Sequence, residues 1–393
     1  PTLAAPPGVP TFIPLNPQTR AFALDPSGAV VGTGFSLVND VTLFARNPVN
    51  PNLYASTDTS GNLYLTGLNG ADGYRPDMSP FSEFPALSLE ENNAFVAALA
   101  WSPDGRFLAF IVAGRKLADD GVWYFEPGQF PPLQLMADCP STNFPGCLIV
   151  SNPTNPDLWE SRSLAWSPVS DALLVSVYLP AENRAGIVVL PTTRDERTRD
   201  VRPPVFRYQF ATWSRDGQRI LASGLAPDGS LTVEWLNRDG SSLGRVSDPA
   251  VLGLWLGYAN EAANNQLYAL GAPGDASGPR EPLRLYTMTG NAVTSAIGDG
   301  GLPERVEWSP DGLQVFVQTG GRQYIASVRD GSVREITGQV AGARAINWIE
   351  GLLPPTEAAY RQFIEARQRR IEEHGPYEPD AAGEHWIEAG QPP

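Results

Sequence analysis

Histidine is almost missing from this sequence. Its 393 residues hold two, His374 and His385, both near the C-terminus. Everything upstream therefore lacks a Ser-His-Asp triad, a His-ligated metal and a histidine general base, which excludes His-dependent lyases and peroxidases. Lysine is scarcer still: Lys116 is the single example, and arginine carries the rest of the positive charge. Basic residues total 28 against 43 acidic, for a formal net charge of −15. That field repels phosphate backbones and anionic bilayers, so no nucleic-acid partner is expected. No apolar run approaches the ~18 residues that a membrane-spanning helix needs, so no transmembrane segment is expected either.

Cysteine is also rare. Cys139 and Cys147 stand in "CPSTNFPGC", with seven residues between them in a Pro/Gly/Asn setting. A disulfide there closes a short loop and contributes roughly 2–3 kcal/mol; two free thiols are the alternative. No second Cys or His pair accompanies them, so the spacing is not a zinc pattern. A disulfide implies an oxidising compartment. The chain opens on Pro1 with "PTLAAPPGVP", which reads as a Pro-rich spacer over 1–10. The two features together set the expectation of an extracytoplasmic protein, periplasmic or cell-surface, with a processed lipoprotein anchor ahead of Pro1 as one form of it.

Glycine and proline are abundant, at 38 each, as in chains dominated by turns. They recur with a pattern. "WSPDG" stands at 101–105 and 308–312, "WSRDG" at 213–217 and "WSPVSD" at 166–171. Each tryptophan ends a short apolar strand. In Ser102-Pro103-Asp104-Gly105, Ser, Pro and Gly sit at the first, second and fourth places of a type I turn. A second strand follows at once, then a third and a fourth, as in "RFLAFIV", "GVWYFEPG" and "PLQLMAD". Two weaker units carry Arg46-Asn47-Pro48 and Trp255 at the anchor place. The anchors 46, 101, 166, 213, 255 and 308 are spaced by 55, 65, 47, 42 and 53 residues. A period of about 40–50 residues with four strands per unit is that of a propeller blade.

Near the C-terminus "ARAINW" (343–348) reads as a first strand without its hairpin. Near the N-terminus "TFIPL", "RAFALD" and "AVVGTGFSL" read as later strands without a first. Joining them pairs edges that would otherwise stay open. The expectation is all-β: a seven-bladed β-propeller of four-stranded antiparallel blades over 11–350, closed by both termini. A C-terminal helix over 351–376, with Tyr360, Phe363, Ile364 and Ile371 near one face, and an extended acidic tail over 377–393 complete the assignment.

The W-S-P-D-G turn resembles the WD-repeat-like blades of the TolB type, over roughly residues 11–350. There is no room for the α/β domain of TolB itself. The same blades cap prolyl-oligopeptidase-type hydrolases, but no hydrolase half follows and no G-x-S-x-G nucleophile elbow is read. The resemblance implies the fold and leaves function open.

Recurrence at matched places marks Trp101, Trp166, Trp213 and Trp308 as packing residues rather than a ligand-binding ring. It marks Asp104, Asp216 and Asp311, with Gly105, Gly217 and Gly312, as turn-forming rather than metal-binding. No metal, cofactor or catalytic residue is expected. "DTSGN" (58–62) and "NPTNPDLW" (152–159) offer oxygen ligands to Ca²⁺ but match no EF-hand. The second-to-third turns and blade-to-blade links carry the long insertions, roughly 72–95, 113–120, 138–162 and 270–281. Within the first and third of these, Phe81, Phe84, Phe144 and Trp159 are aromatics without a strand to bury them. Trp386 and Ile387 stand out likewise in the polar tail. Long loops with apolar anchors suggest a surface for a protein partner; loops packing on one another as a lid are the alternative. The expected function is a non-enzymatic interaction or assembly module. The competing reading is an enzyme or carbohydrate-binding protein with a carboxylate site at a central channel mouth.

Overall fold

The computed structural model describes residues 9–14, 20–24, 30–36, 43–49, 53–57, 63–67, 95–113, 121–126, 133–137, 164–179, 184–192, 208–225, 231–246, 254–275, 278–279, 281–301, 303–309, 311–338 and 343–349. The chain divides into two compact units, residues 1–138 with 341–393, and residues 139–340. Every described element is a β-strand.

In the first unit β1 (Val9–Pro14), β2 (Arg20–Leu24) and β3 (Val30–Ser36) form a meander. Next come β4 (Leu43–Arg46), β5 (Leu53–Thr57) and β6 (Leu63–Gly67). The sheet of β7 (Phe95–Trp101), β8 (Leu108–Ala113), β9 (Gly121–Phe125) and β10 (Leu133–Ala137) follows. The second unit begins with β11 (Leu164–Trp166), β12 (Ala172–Leu179) and β13 (Arg184–Pro191). Then come β14 (Tyr208–Trp213), β15 (Arg219–Leu225), β16 (Leu231–Asn237) and β17 (Ser242–Arg245). The next sheet holds β18 (Leu254–Glu261), β19 (Leu267–Asp275), β20 (Gly278–Pro279) and β21 (Arg284–Thr287). The last in this unit holds β22 (Pro303–Trp308), β23 (Gln314–Thr319), β24 (Arg322–Ser327) and β25 (Val333–Glu335). Strand β26 (Ala343–Ile349) returns to the first unit and pairs antiparallel with β1, from Val9↔Ile349 to Pro14↔Ala343. Residues 343–348 thus supply a strand to the N-terminal meander, and β1 begins two residues inside the stretch that reads as a spacer.

The fold is an all-β β-propeller, and the expectation of seven four-stranded blades is corrected. Five sheets carry four strands; β4–β5–β6 and β11–β12–β13 carry three among the described residues. The residues that follow β6 and β13, 68–94 and 193–207, lie outside the described residues. The described residues contain no helix, and residues 351–393, including the expected helix and tail, lie outside them.

Second strands are apolar without alternation because both sheet faces are covered. In β12, Leu173, Leu174 and Val175 are all fully buried. In β15 the alternation sorts neighbours between two layers. Ile220 and Ala222 join Leu174, Ile187 and Trp213 of one core cluster, while Leu221 joins Val233, Ala259, Ala269 and Tyr286 of the next. Each fully buried Leu or Ile contributes about 1.5–3 kcal/mol. Further along, Leu270 and Leu285 pack with Val315, Val317 and Tyr324. Strand β17, at a sheet edge, is exposed at all four residues.

Two expectations about the β18–β21 sheet are revised. Trp255 is not the anchor. Ala262 N donates to Gln266 O and Asn265 N donates to Ala262 O, each at 2.9 Å, as Ser309 N does to Gln314 O at 2.9 Å and Gly312 N to Ser309 O at 2.7 Å. Glu261 therefore occupies the tryptophan place, and Asn265, at φ +60°, the glycine place. With 261 as anchor, the spacings from 166 onward become 47, 48 and 47. The sequence hid this because Glu, Ala and Asn replace Trp, Ser and Gly. Nor is 270–281 wholly a loop: β19 runs on to Asp275 and pairs with β20 through Gly274↔Pro279 and Asp275↔Gly278.

Candidate functional site

In each antiparallel meander the first-to-second and third-to-fourth turns share one end of the strands. The second-to-third turns and the connectors to the next sheet share the other. The two ends are built differently.

The tight-turn end is one device repeated. Ser102 is fully buried; its N–H donates to Phe107 O and its carbonyl accepts from Gly105 N, both at 2.8 Å. Its hydroxyl donates to Asp104 Oδ1 at 2.5 Å and accepts from Phe107 N at 2.9 Å, while Arg106 N donates to Asp104 at 3.1 Å. The same set recurs at Ser214-Asp216 and Ser309-Asp311, with hydroxyl-to-carboxylate distances of 2.5 and 2.6 Å. In "WSPVSD" the aspartate is displaced, and Ser167 Oγ donates to Asp171 Oδ1 at 2.5 Å instead. There Ser170 takes the glycine place at φ +60°.

Three of the turns also rest, at their glycine, on the turn before them. Gly105, at φ +71°, sits so close to the neighbouring sheet that a Cβ would meet Asn47 Oδ1 at 2.6 Å and Val49 Cβ at 2.9 Å. Asn47 Nδ2 donates to Gly105 O at 2.7 Å. A Cβ on Gly217 would lie 3.2 Å from Pro168 Cδ; one on Gly312 would lie 2.9 Å from Ala262 Cα and 3.1 Å from Glu261 O. The tryptophans make the same link from inside. Trp101 Nε1 donates to Ala45 O at 2.9 Å and Trp213 Nε1 to Ala165 O at 3.1 Å. Glu261, lacking an indole, accepts from Arg215 N of the preceding turn at 2.9 Å. Trp308 Nε1 is buried without a partner.

The acids here are engaged. The Arg238 guanidinium, bidentate at 2.7 and 2.8 Å, holds the Asp171 carboxyl below its ordinary value, with help from Ser167. Ser214 and the Gln218 amide do the same for Asp216, as Ser332 does for Asp330. At Asp311 burial works the other way, but Ser309, the Leu313 amide and Arg329 outweigh it. Such carboxylates stay ionised and bound, which suits structure and not proton transfer. Among the described residues no three His, Cys, Asp or Glu side chains gather as a metal site.

The connector end is where length varies. Turns from first to second strand take five or six residues, whereas 26 residues separate the fourth strand β10 from the first strand β11. The 27 residues from β6 to β7 and the 16 from β13 to β14 start where those third strands stop, beside the tight turns, and end where the next first strand begins. Near this end Tyr208 opens β14. Its hydroxyl donates to the buried Glu234 at 2.8 Å, and Glu234 also accepts from Ser242 Oγ at 3.0 Å and pairs with Arg245 at 3.4 Å. This network escaped the sequence reading because its members are dispersed over three strands.

No protein-family model matches the chain, and no curated protein sequence matches it. Solved structures do. A prolyl endopeptidase aligns at 11% identity over 85% of this chain and 49% of that one, with a TM-score of 0.50. The β-propeller domain of Myceliophteria thermophila Cps50 (Swd1) aligns at 13% identity over 85% and 98%, with a TM-score of 0.42. At 11% identity the likeness to the prolyl endopeptidase shows the fold alone.

Of the residues singled out from sequence, Trp101, Asp104, Gly105, Trp166, Trp213, Asp216, Gly217, Trp308, Asp311 and Gly312 all lie at the tight-turn end of their sheets. Cys139, Cys147, Phe81, Phe84, Phe144, Trp159, Trp386, Ile387 and the stretches 58–62 and 152–159 lie outside the described residues. One string needs correction: Gly240-Ser241-Ser242-Leu243-Gly244 does spell G-x-S-x-G. It lies on the β16–β17 hairpin, not a strand-to-helix elbow, and Ser242 Oγ donates to Glu234 at 3.0 Å.

Proposed function

We propose that this chain is a TolB-type β-propeller that acts outside the cytoplasm as a non-enzymatic protein-interaction module, meeting its partner at the connector end. A β-propeller commonly serves as an interaction scaffold. The observation that carries the reading is the asymmetry between the two ends. One is locked by repeated turns whose polar groups bond to their own backbone. The other receives the longest link from a fourth strand to the next first strand, the 26 residues from β10 to β11, and loops held by a rigid scaffold are where binding resides. Phe81 and Phe84 in the first unit, and Phe144 and Trp159 in the second, are the anchors on this reading, as aromatics are at protein interfaces. The Cys139–Cys147 disulfide and an upstream lipid anchor belong to the same proposal.

A photo-crosslinking amino acid placed singly at 81, 84, 144 and 159, and at Val169 on the tight-turn end, tests it. Specific crosslinks to one protein from the four connector sites, and none from Val169, are expected. Crosslinks from Val169 alone, or a glycan-cleaving activity in the purified chain, would overturn it.

A further inference from the structure

The sheets β18–β21 and β22–β25 carry the same pair of side chains at the same rungs. Arg284 pairs with Gly271 and Arg322 with Thr319. Gly271 and Thr319 each lie five residues past the carbonyl that closes the tight turn, Gln266 and Gln314. Two residues on, Tyr286 and Tyr324 are again equivalent. Both arginines open a third strand, and so stand at the connector end.

The copies differ in what faces them. Arg322 Nη1 lies 3.5 Å from Asp299 Oδ2 and 3.9 Å from Glu335 Oε2. Glu335 pairs with Tyr324 across the ladder; the residue bridged to Tyr286 is Ala292. Arg284 thus has alanine where Arg322 has glutamate. Its Nε is buried with no hydrogen-bond partner, and among the described residues it makes no ion pair. Beside it Tyr286 is 6% exposed. Burial pushes that phenol's pKa up, opposed by Arg284 and reinforced by Glu281, so it stays a protonated donor at neutral pH. Exposed Glu281 is bound through its backbone, N–H to Pro273 O at 3.3 Å. A half-buried guanidinium with an unsatisfied N–H is costly in a chain with an excess of acids, and calls for a partner group.

The geometry points to Arg284 and Tyr286 as a receptor for a carboxylate of a partner protein, an Asp or Glu side chain that takes the place Glu335 and Asp299 hold beside Arg322. This rests on the connector end being the interaction surface. A carboxylate is favoured over phosphate because the equivalent site holds carboxylates, and because the net charge of −15 repels a dianion more strongly. Arginine presents a planar fork that matches a carboxylate, and a charge-assisted bond of this kind changes affinity by about 10- to 100-fold.

The test is an NMR titration of the full chain, observing arginine Nε–H signals, with acetyl-tetraglutamyl amide as probe and acetyl-tetraglutaminyl amide as control at equal ionic strength. The Arg284 signal is expected to shift saturably with the first peptide only. In R284K the saturable shifts of the backbone amide signals of residues 284–286 should be lost with an unchanged melting temperature, and Y286F should weaken binding several-fold. No saturable shift at Arg284, or an equal shift with the glutaminyl peptide, overturns the proposal. So does a change in the Arg284 signal of probe-free protein on D248N, since Asp248 is the one acid between β17 and β18 and its effect would mean that the chain supplies its own carboxylate. The two readings fail separately. Unchanged crosslinking yield in R284K removes this inference alone; absence of connector-end crosslinks in the unsubstituted chain removes the reading beneath it.

Discussion

If the glycines of the W-S-x-D-G turns are there for closeness as well as for backbone freedom, alanine at different glycines should cost different amounts. Gly312 and Gly320 belong to the same sheet and have similar φ, +67° and +57°. Placing a side chain in the left-handed region costs about 1–2 kcal/mol at either position. Gly320 has open space around its missing Cβ, so Gly320→Ala stops there. At Gly312 the new methyl meets Ala262 Cα at 2.9 Å and Glu261 O at 3.1 Å, main-chain atoms that cannot rotate away. Forced overpacking adds about 1–3 kcal/mol, so Gly312→Ala should lose roughly 2–5 kcal/mol. Gly217→Ala, 3.2 Å from the side-chain Cδ of Pro168, should fall between. Urea titrations followed by tryptophan fluorescence read the differences as shifts in midpoint at constant slope. Both glycines lie in one unit and report on one transition. Gly312→Ala and Gly320→Ala agreeing within about 0.5 kcal/mol, the ordinary effect of a surface change, would refute the contact argument.

Trp213→Phe should cost about 1 kcal/mol more than Trp308→Phe, because the first loses an indole bond to Ala165 O and the second loses none; equal costs in the same urea assay count against it. Asp171 has a depressed folded pKa, so its contribution is present above the ordinary value of 3.8 and is lost as pH falls through the lower folded value. Arg238→Met should therefore shallow the loss of stability below about pH 4, by less than about 1 kcal/mol because the pair is partly open to water; identical acid limbs for the two proteins would contradict this. Peptide mapping without reductant should recover Cys139 joined to Cys147, and two alkylatable thiols in the native protein would exclude the bond.

The sequence carried the repeat well where chemistry repeats. Trp, Ser, Asp and Gly at fixed offsets revealed three turns, and "WSPVSD" gave a fourth with its aspartate displaced and Ser170 at the glycine place. It failed at Glu261-Ala262-Ala263-Asn264-Asn265, where the same shape is built from other residues. There Asn265 tolerates φ +60° and Glu261 reaches Arg215 N in place of an indole. Trp255, only a few residues upstream, was the stronger letter and the wrong landmark. The Glu234 network and the Arg284–Tyr286 pair were illegible for another reason. Strand register brings together residues that sequence distance keeps apart, and only the ladder shows which alanine faces which tyrosine.

The contacts between successive turns have a direction: Gly105, Gly217 and Gly312 each lean on the turn before them in the chain. Such an array has a grain. A blade copied by gene duplication brings the half of the joint that leans back, but its other half must fit whatever follows. Asp171 and Arg238 illustrate the result, since the acid of one sheet is held by the arginine of the next. Change in such a protein is therefore constrained across blade boundaries, and the natural unit of inheritance is the seam between two blades.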